Sequence, residues 1–179
     1  MLTPRCCAAL LASGTAMLAA VGCSYLQSSA EVTPVDQQFM LTAASVGIAE
    51  VDMAELAERH AGNPAVKAYG QRLARAHTRI DNELTTLADQ KHVNLIKTMD
   101  PADRTLYEEL ARLSGPVFDH EYLLAQINIH RMDSSLYESE AQAGEDADVK
   151  AFAARNASTG AELLKLAQSL NNQPGNTTP

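Results

Sequence analysis

The sequence has no tryptophan, and its three phenylalanines and five tyrosines make aromatics only 4% of 179 residues. Sheets draw on β-branched and aromatic side chains, so an alanine-rich chain with 46% hydrophobic residues and this few rings points to closely packed helices. Cysteine is missing beyond position 23; Cys6, Cys7 and Cys23 are the three in the chain. No disulfide can staple the body of the protein, which must hold by packing alone. Positive charge is scarce, with 14 Lys and Arg against 22 Asp and Glu, a net charge of −8. That balance excludes a basic phosphate-binding face, and with it nucleic acid, and it excludes an electrostatic grip on anionic lipid. No glycine-rich phosphate loop, nucleophile elbow or Cys-x-x-Cys is present, and no Ser or Thr has an evident base partner. The balance leans away from an enzyme.

Residues 1–22 read as a secretory leader. Arg5 supplies the positive charge, and residues 8–21 form an apolar run of about fourteen, short of the roughly twenty that span a bilayer. Ala20-Val21-Gly22-Cys23 resembles a lipobox, in which the cysteine is lipidated and becomes the mature N-terminus. Ser24 follows, with no Asp in that place, which resembles an outer-membrane destination. An ordinary cleaved leader with an incidental cysteine is the alternative. The expected organisation is a leader over 1–22, a lipidated Cys23 with a tether over 23–35, a helical domain over 36–170 and a disordered tail over 171–179. The membrane is then reached through the lipid; no protein partner or oligomeric state is legible.

Four long segments carry helical period. On the first, over about residues 36–60, Phe39, Ala43, Val46, Glu50, Met53 and Ala57 share a stripe. The second opens at Asn63-Pro64 and shows Val66, Gly70, Leu73, His77, Ile80, Leu84 and Leu87. The third, over about 116–143, aligns Leu123, Ile127, His130, Ser134 and Tyr137. The fourth, after Gly144, aligns Val149, Phe152, Asn156, Thr159, Leu163, Leu166 and Leu170. A shorter helix starts at Asp100-Pro101 and stops at Ser114-Gly115. The first and last connections are short and join antiparallel neighbours. The middle connection, residues 91–115, is long enough to return along a bundle roughly 35–40 Å tall. The expected fold is all-α, a ferritin-like four-helix bundle of two antiparallel hairpins with a long crossover carrying a short extra helix. An echo relates the hairpins: Val66-Lys67-Ala68-Tyr69 with Arg72, and Val149-Lys150-Ala151-Phe152 with Arg155. Duplication and chance likeness between alanine-rich helices both account for it.

Glu50, His77 and His130 interrupt the apolar stripes near the middle of three helices, where an antiparallel bundle brings them to one level. A buried carboxylate needs a partner. One reading is a mononuclear site for a divalent transition metal, which imidazole and carboxylate suit. The di-iron signature Glu-x-x-His is absent, since Ala74 and Ile127 stand three before the histidines, and Glu162 lies beside the fourth stripe with Leu163 on it. The incomplete set favours the other reading, a hydrogen-bonded cluster with no cofactor. In it His77 and His130 satisfy Glu50, with Tyr122, Tyr137 and Glu162 as polar support. His60, His92 and His120 read as surface or capping residues, Asp119 as a first-turn acid favoured by the helix dipole, and Glu138, Glu140, Glu145, Asp146 and Asp148 as a solvated face.

The chain resembles the DUF4142 family of bacterial envelope proteins over about residues 36–170. The likeness rests on Asp36-Gln37-Gln38-Phe39, Gly47-Ile48-Ala49-Glu50-Val51, Asn63-Pro64-Ala65-Val66-Lys67 and Ala76-His77-Thr78. It continues through Phe118-Asp119-His120-Glu121-Tyr122-Leu123, Ala125-Gln126-Ile127-Asn128-Ile129-His130 and Val149-Lys150-Ala151-Phe152-Ala153. The resemblance implies an exported ferritin-like bundle of no established activity, with Glu50, His77 and His130 as its polar core. Three departures stand out: Ala76 where the family has Asp, Ala157-Ser158 where it has Leu-Pro, and Leu163 where its fourth-helix histidine falls. The expected function is a non-catalytic envelope module with a structural, stress-related or partner-binding role; a metal-binding or redox bundle is the alternative.

Overall fold

The computed structural model describes residues 32–173 and residue 176. The leader, Cys23 and most of the tether lie outside these residues. Five helices follow in order: α1 (Pro34–His60), α2 (Pro64–Lys91), α3 (Pro101–Leu110), α4 (Gly115–Ala143) and α5 (Ala147–Asn171). Proline stands in the first turn of α1 to α4, where its missing N–H leaves no bond unmade. Thr33, Asn63, Asp100 and Asp146 each accept a first-turn amide as N-caps. Gly115 adopts φ +62°, a conformation open to glycine, as the chain turns into α4.

The architecture is the all-α bundle expected. α1 packs along α2 and α4 along α5, while α1–α4 and α2–α5 contacts close the square. The long crossover carries α3 across α1 and α4. The stripes read from the sequence face inward, apart from Val46, Ser134, Thr159 and Leu166, which are half-buried.

The echo between hairpins extends further than the two short matches. A constant step of 83 residues relates Asp36 to Asp119, Phe39 to Tyr122, Asn63 to Asp146, Tyr69 to Phe152 and Leu87 to Leu170. The step also maps equivalent contacts. Asp36, fully buried, accepts from the amides of Glu145 (2.9 Å) and Asp146 (3.1 Å) in the α4–α5 loop. Asp119, 2% exposed, accepts from the amides of Gly62 (3.0 Å) and Asn63 (2.8 Å) in the α1–α2 loop. Each hairpin thus clasps the loop of the other with an aspartate near its first N-terminus. Chance likeness would not place the Asn63 and Asp146 caps and both clasps in one register, so the bundle is two copies of one hairpin plan.

These clasps correct two expectations. Asp119 binds loop amides and is no mere dipole partner. The acidic stretch is not wholly a solvated face. Asp146 is buried, caps α5 and meets the Lys91 ammonium at 2.7 Å. Glu140 is 5% exposed; burial, then the neighbouring Asp36 carboxyl, pushes it up to about 7. The tail is likewise not free throughout. Asn176 is buried, donates to the Leu170 carbonyl, accepts from the Asn63 carboxamide, and its own carbonyl meets His120 Nδ1 at 2.8 Å.

The apolar interior falls into two clusters. One gathers Met53, Tyr69, Leu73, Phe118, Leu123 and Leu163 at the α1–α2 loop end. The other gathers Phe39, Met40, Leu84, Tyr137, Val149 and Phe152 at the opposite end. Between them lies a polar layer: Glu50, His77, Gln126, His130, Asp133 and Asn156, each under 9% exposed.

Candidate metal centre

Three elements supply the centre of this layer. Glu50 comes from the middle of α1, His77 from α2 and His130 from α4. One ligand atom from each lies within 4.8 Å of the others, and all three residues are buried. The two imidazoles stack, with centroids 6.0 Å apart and planes 17° from parallel.

The electrostatics follow from dryness. Burial holds the Glu50 carboxyl well above its usual range; the Asp133 charge adds to this, while the facing Gln126 carboxamide opposes it. Burial, with His130 beside it, lowers His77 to about 3, and burial lowers His130 to about 4. Both imidazoles are therefore neutral at pH 7 and keep a lone pair. Burial, then the charge of Asp103, raises Asp133 to about 7.

The expected hydrogen-bonded cluster is not what the structure holds. Neither oxygen of Glu50 makes a hydrogen bond within 3.5 Å among the described residues; the facing donor Gln126 Nε2 is also unpaired, too far to close the bond, and His130 Nδ1 is without a partner as well. The reason lies in Tyr69, which the sequence places in the hairpin echo and not among the candidate site residues. Tyr69 takes His130 Nε2 at 3.1 Å, and its hydroxyl lies 3.4 Å from Gln126 Oε1. With Nε2–H donating to Tyr69, and Tyr69 donating onward to Gln126, the tautomer leaves Nδ1 as a bare lone pair. Orphaned buried acceptors at one point are costly unless a proton or a metal cation answers them. Two imidazoles and a carboxylate make a fitting donor set for a first-row transition ion.

The support residues divide. Tyr122 is fully buried at the edge of Tyr69 (6.1 Å), and its hydroxyl has no partner among the described residues. Tyr137 packs edge-on to Phe39 at 5.2 Å in the apolar cluster beyond the layer, and lines a narrow crevice with His77, His130 and Asp133. Glu162 is a correction: it is exposed and pairs with Arg72 at 2.9 Å, because Leu163 takes the inward position and turns its neighbour outward. The remaining histidines serve structure. His60 Nδ1 donates to the Leu113 carbonyl at 2.7 Å, and His92 ends α2 at φ 57°. Tyr69, Gln126 and Asp133 had a readable signal, since Tyr69–Leu73–His77 and Tyr122–Gln126–His130 each run at four-residue steps and Asp133 lies one turn beyond His130.

The fold and this layer define a class: a helical bundle of two like hairpins with a buried Glu–His cluster at mid-height. The chain belongs to the DUF4142 family, a domain of unknown function, whose model matches residues 22–170. A solved structure described as CopM in the Cu(I)-bound form superposes with a TM-score of 0.64 at 19% identity, covering 76% of this chain and 94% of that one. At that identity the likeness is one of fold. No curated protein matches. Among the described residues no helix is long and apolar enough to cross a membrane.

Proposed function

We propose that the domain is an envelope metal-binding bundle, holding one divalent transition-metal ion between Glu50, His77 and His130. The observation that carries this reading is the convergence of three buried ligand-capable groups, two of them with acceptors left orphaned. Of the two functions open at the outset, this favours the metal-binding one over a purely structural module. Two neutral histidines and one carboxylate leave coordination positions free, as in mononuclear zinc and iron sites. The fold neighbour's copper-bound description adds copper to the ions worth testing. Loading displaces the proton that burial keeps on Glu50, so binding releases protons and tightens as pH rises.

Purified protein is to be titrated with zinc, copper and manganese salts, following melting temperature and bound metal. One ion per chain is expected, and free ion at a hundred times Kd stabilises the fold by about 2.7 kcal/mol. Absence of any melting shift with every ion, in wild type and Glu50→Gln alike, would overturn the reading. The same proposal places the bundle at a membrane through a lipidated Cys23, which lies outside the described residues. Cys23→Ala is expected to move the protein to the soluble fraction, and unchanged membrane retention refutes the anchor.

A further inference from the structure

A separate groove of about 470 Å³ opens between α1, α2 and residues 93–97 of the crossover. Ile48, Leu84, Val93 and Ile96 give it apolar walls, and Ile96 leaves 43% of its surface in water. At its inner side stands Asp81. The Asp81 Oδ1 atom is buried and accepts no hydrogen bond among the described residues. It sits where an added Cβ on Gly47 would come within 2.0 Å, so the missing side chain of Gly47 is what makes room for the carboxylate. Burial alone raises Asp81, to about 6, and no cation opposes it. Asp89 and Lys97, both exposed, also line the groove.

These features describe a pocket with a grip. Its volume falls within the range of small-molecule sites, which are mainly apolar with a few oriented polar groups. Asp81 Oδ1 is sealed against Gly47 and cannot be reached from the groove, but Asp81 lines it and makes no ion pair among the described residues, not even with the exposed Lys97; a carboxylate so placed selects a positive partner. We propose that this groove binds a small amphipathic amine, its apolar body against Ile48, Leu84, Val93 and Ile96 and its protonated nitrogen paired with the Asp81 carboxylate where that residue lines the groove. This site shares no residue with the Glu50–His77–His130 centre, so it stands whether or not that centre holds a metal.

The test uses 4-phenylbutylamine and its neutral isostere 4-phenylbutan-1-ol on the full chain, with excess chelator to exclude metal ligation by the amine. Titration calorimetry is expected to show the amine binding at least about tenfold tighter than the alcohol, as a charge-assisted hydrogen bond contributes. Asp81→Asn, which removes a buried charge and keeps the volume, is expected to erase that preference and leave weak binding of both. Ile96→Ser is expected to weaken both probes together. Glu50→Gln is expected to change neither. Equal affinities for amine and alcohol, an amine affinity unchanged in Asp81→Asn, or no binding of either probe at millimolar concentration each overturns the proposal.

Discussion

At mid-height the first hairpin carries Glu50 and His77; the second, 83 residues on, carries Asp133 and Gly160 in the same places. The second hairpin has His130 where the first has Gly47. Elsewhere the halves agree in the Asn63 and Asp146 caps, the clasping aspartates and the apolar rows, while Thr33 caps α1 and Ser114 makes no side-chain cap on α4. The agreement marks what any hairpin of this plan needs in order to fold. The disagreement marks the site, because each histidine has a glycine for its mate. The pseudo-symmetric copy of the Glu50–His77–His130 cluster would be Asp133, Gly160 and Gly47, which offers one ligand. A bundle of two like halves therefore builds one centre, at an unequal place.

Exchanging the charge of each mate tests that asymmetry with the largest effect. Glu50→Gln keeps the shape and removes the anionic ligand. Metal affinity is expected to fall by more than about a hundredfold, beyond the loss of an outer-sphere partner. Asp133→Asn is expected to leave binding within about tenfold of wild type. Equal losses from both variants, read by competition with a chromophoric chelator, would place Asp133 among the ligands and restore symmetry to the site.

Most of the frame was legible because it repeats. Pro after a capping residue at Asn63-Pro64 and Asp100-Pro101, and stripes at alternating three- and four-residue steps, are local signals. The site was legible only as interruptions: Glu50, His77 and His130 stood out as polar residues on apolar rows. What they do to one another depends on rotamers and tautomers, which spacing does not encode. Tyr69 changed the outcome by occupying His130 Nε2, and an aromatic on a core row reads as packing. Asp119 and Asp146 misled for a related reason. An acid near a helix end resembles a surface charge, and only the other hairpin supplies its partner: for Asp119 the loop amides of Gly62 and Asn63, with Gly62 some 57 residues away, and for Asp146 the Lys91 ammonium.

The paired clasps allow a comparison of next smaller size. Asp36→Ala and Asp119→Ala each leave two loop amides without acceptors, and each is expected to cost about 2–3 kcal/mol in urea unfolding. Their acid responses differ. Burial works against the Asp36 charge, yet Thr33 and the Glu145 and Asp146 amides hold its pKa below the usual value. Its stabilisation is therefore present above the unfolded-state value, about 3.9, and lost as pH falls through the lower folded value. Asp119 is raised, chiefly by burial, and contributes no such acid limb. Asp36→Asn is expected to flatten the stability loss below about pH 4, and Asp119→Asn, which removes a contribution of the opposite sign, to leave that loss undiminished. Identical acid limbs would mean that the clasps are equivalent in energy as well as in geometry.

The opposite sign governs the buried acids of the metal-free protein. Glu50, Asp133 and Glu140 all have raised folded values. The native state holds more protons than the unfolded one from about pH 4.5 upward, so stability declines as pH rises through those values. His77 and His130 act in the other direction, since their lowered values make stability fall as pH drops below about 6.5. Carboxyls outnumber histidines in the layer and its surroundings. Melting temperature in chelator is thus expected to decline from pH 6 to pH 8. Asp133→Asn is expected to reduce the decline by about 1.4 kcal/mol, the full titration of one proton over one unit. A melting temperature that rises with pH in chelator would show that Glu50 and Asp133 are charged in the fold.

The smallest effect separates the two glycines that stand opposite the histidines. A Cβ at Gly160 meets only the Ser134 hydroxyl at 3.7 Å, ordinary contact distance, whereas one at Gly47 meets the Asp81 carboxylate well inside contact. Alanine is favoured over glycine within a helix by about 0.8–1.0 kcal/mol. Gly160→Ala is therefore expected to stabilise the protein by up to about 1 kcal/mol, and Gly47→Ala to lose that gain by forcing Asp81 from its place. If both substitutions stabilise equally, Gly47 is a vestige of the hairpin plan; if Gly47→Ala alone destabilises, the glycine is retained for the carboxylate beside it, and the two halves differ at this position by function as well as by residue.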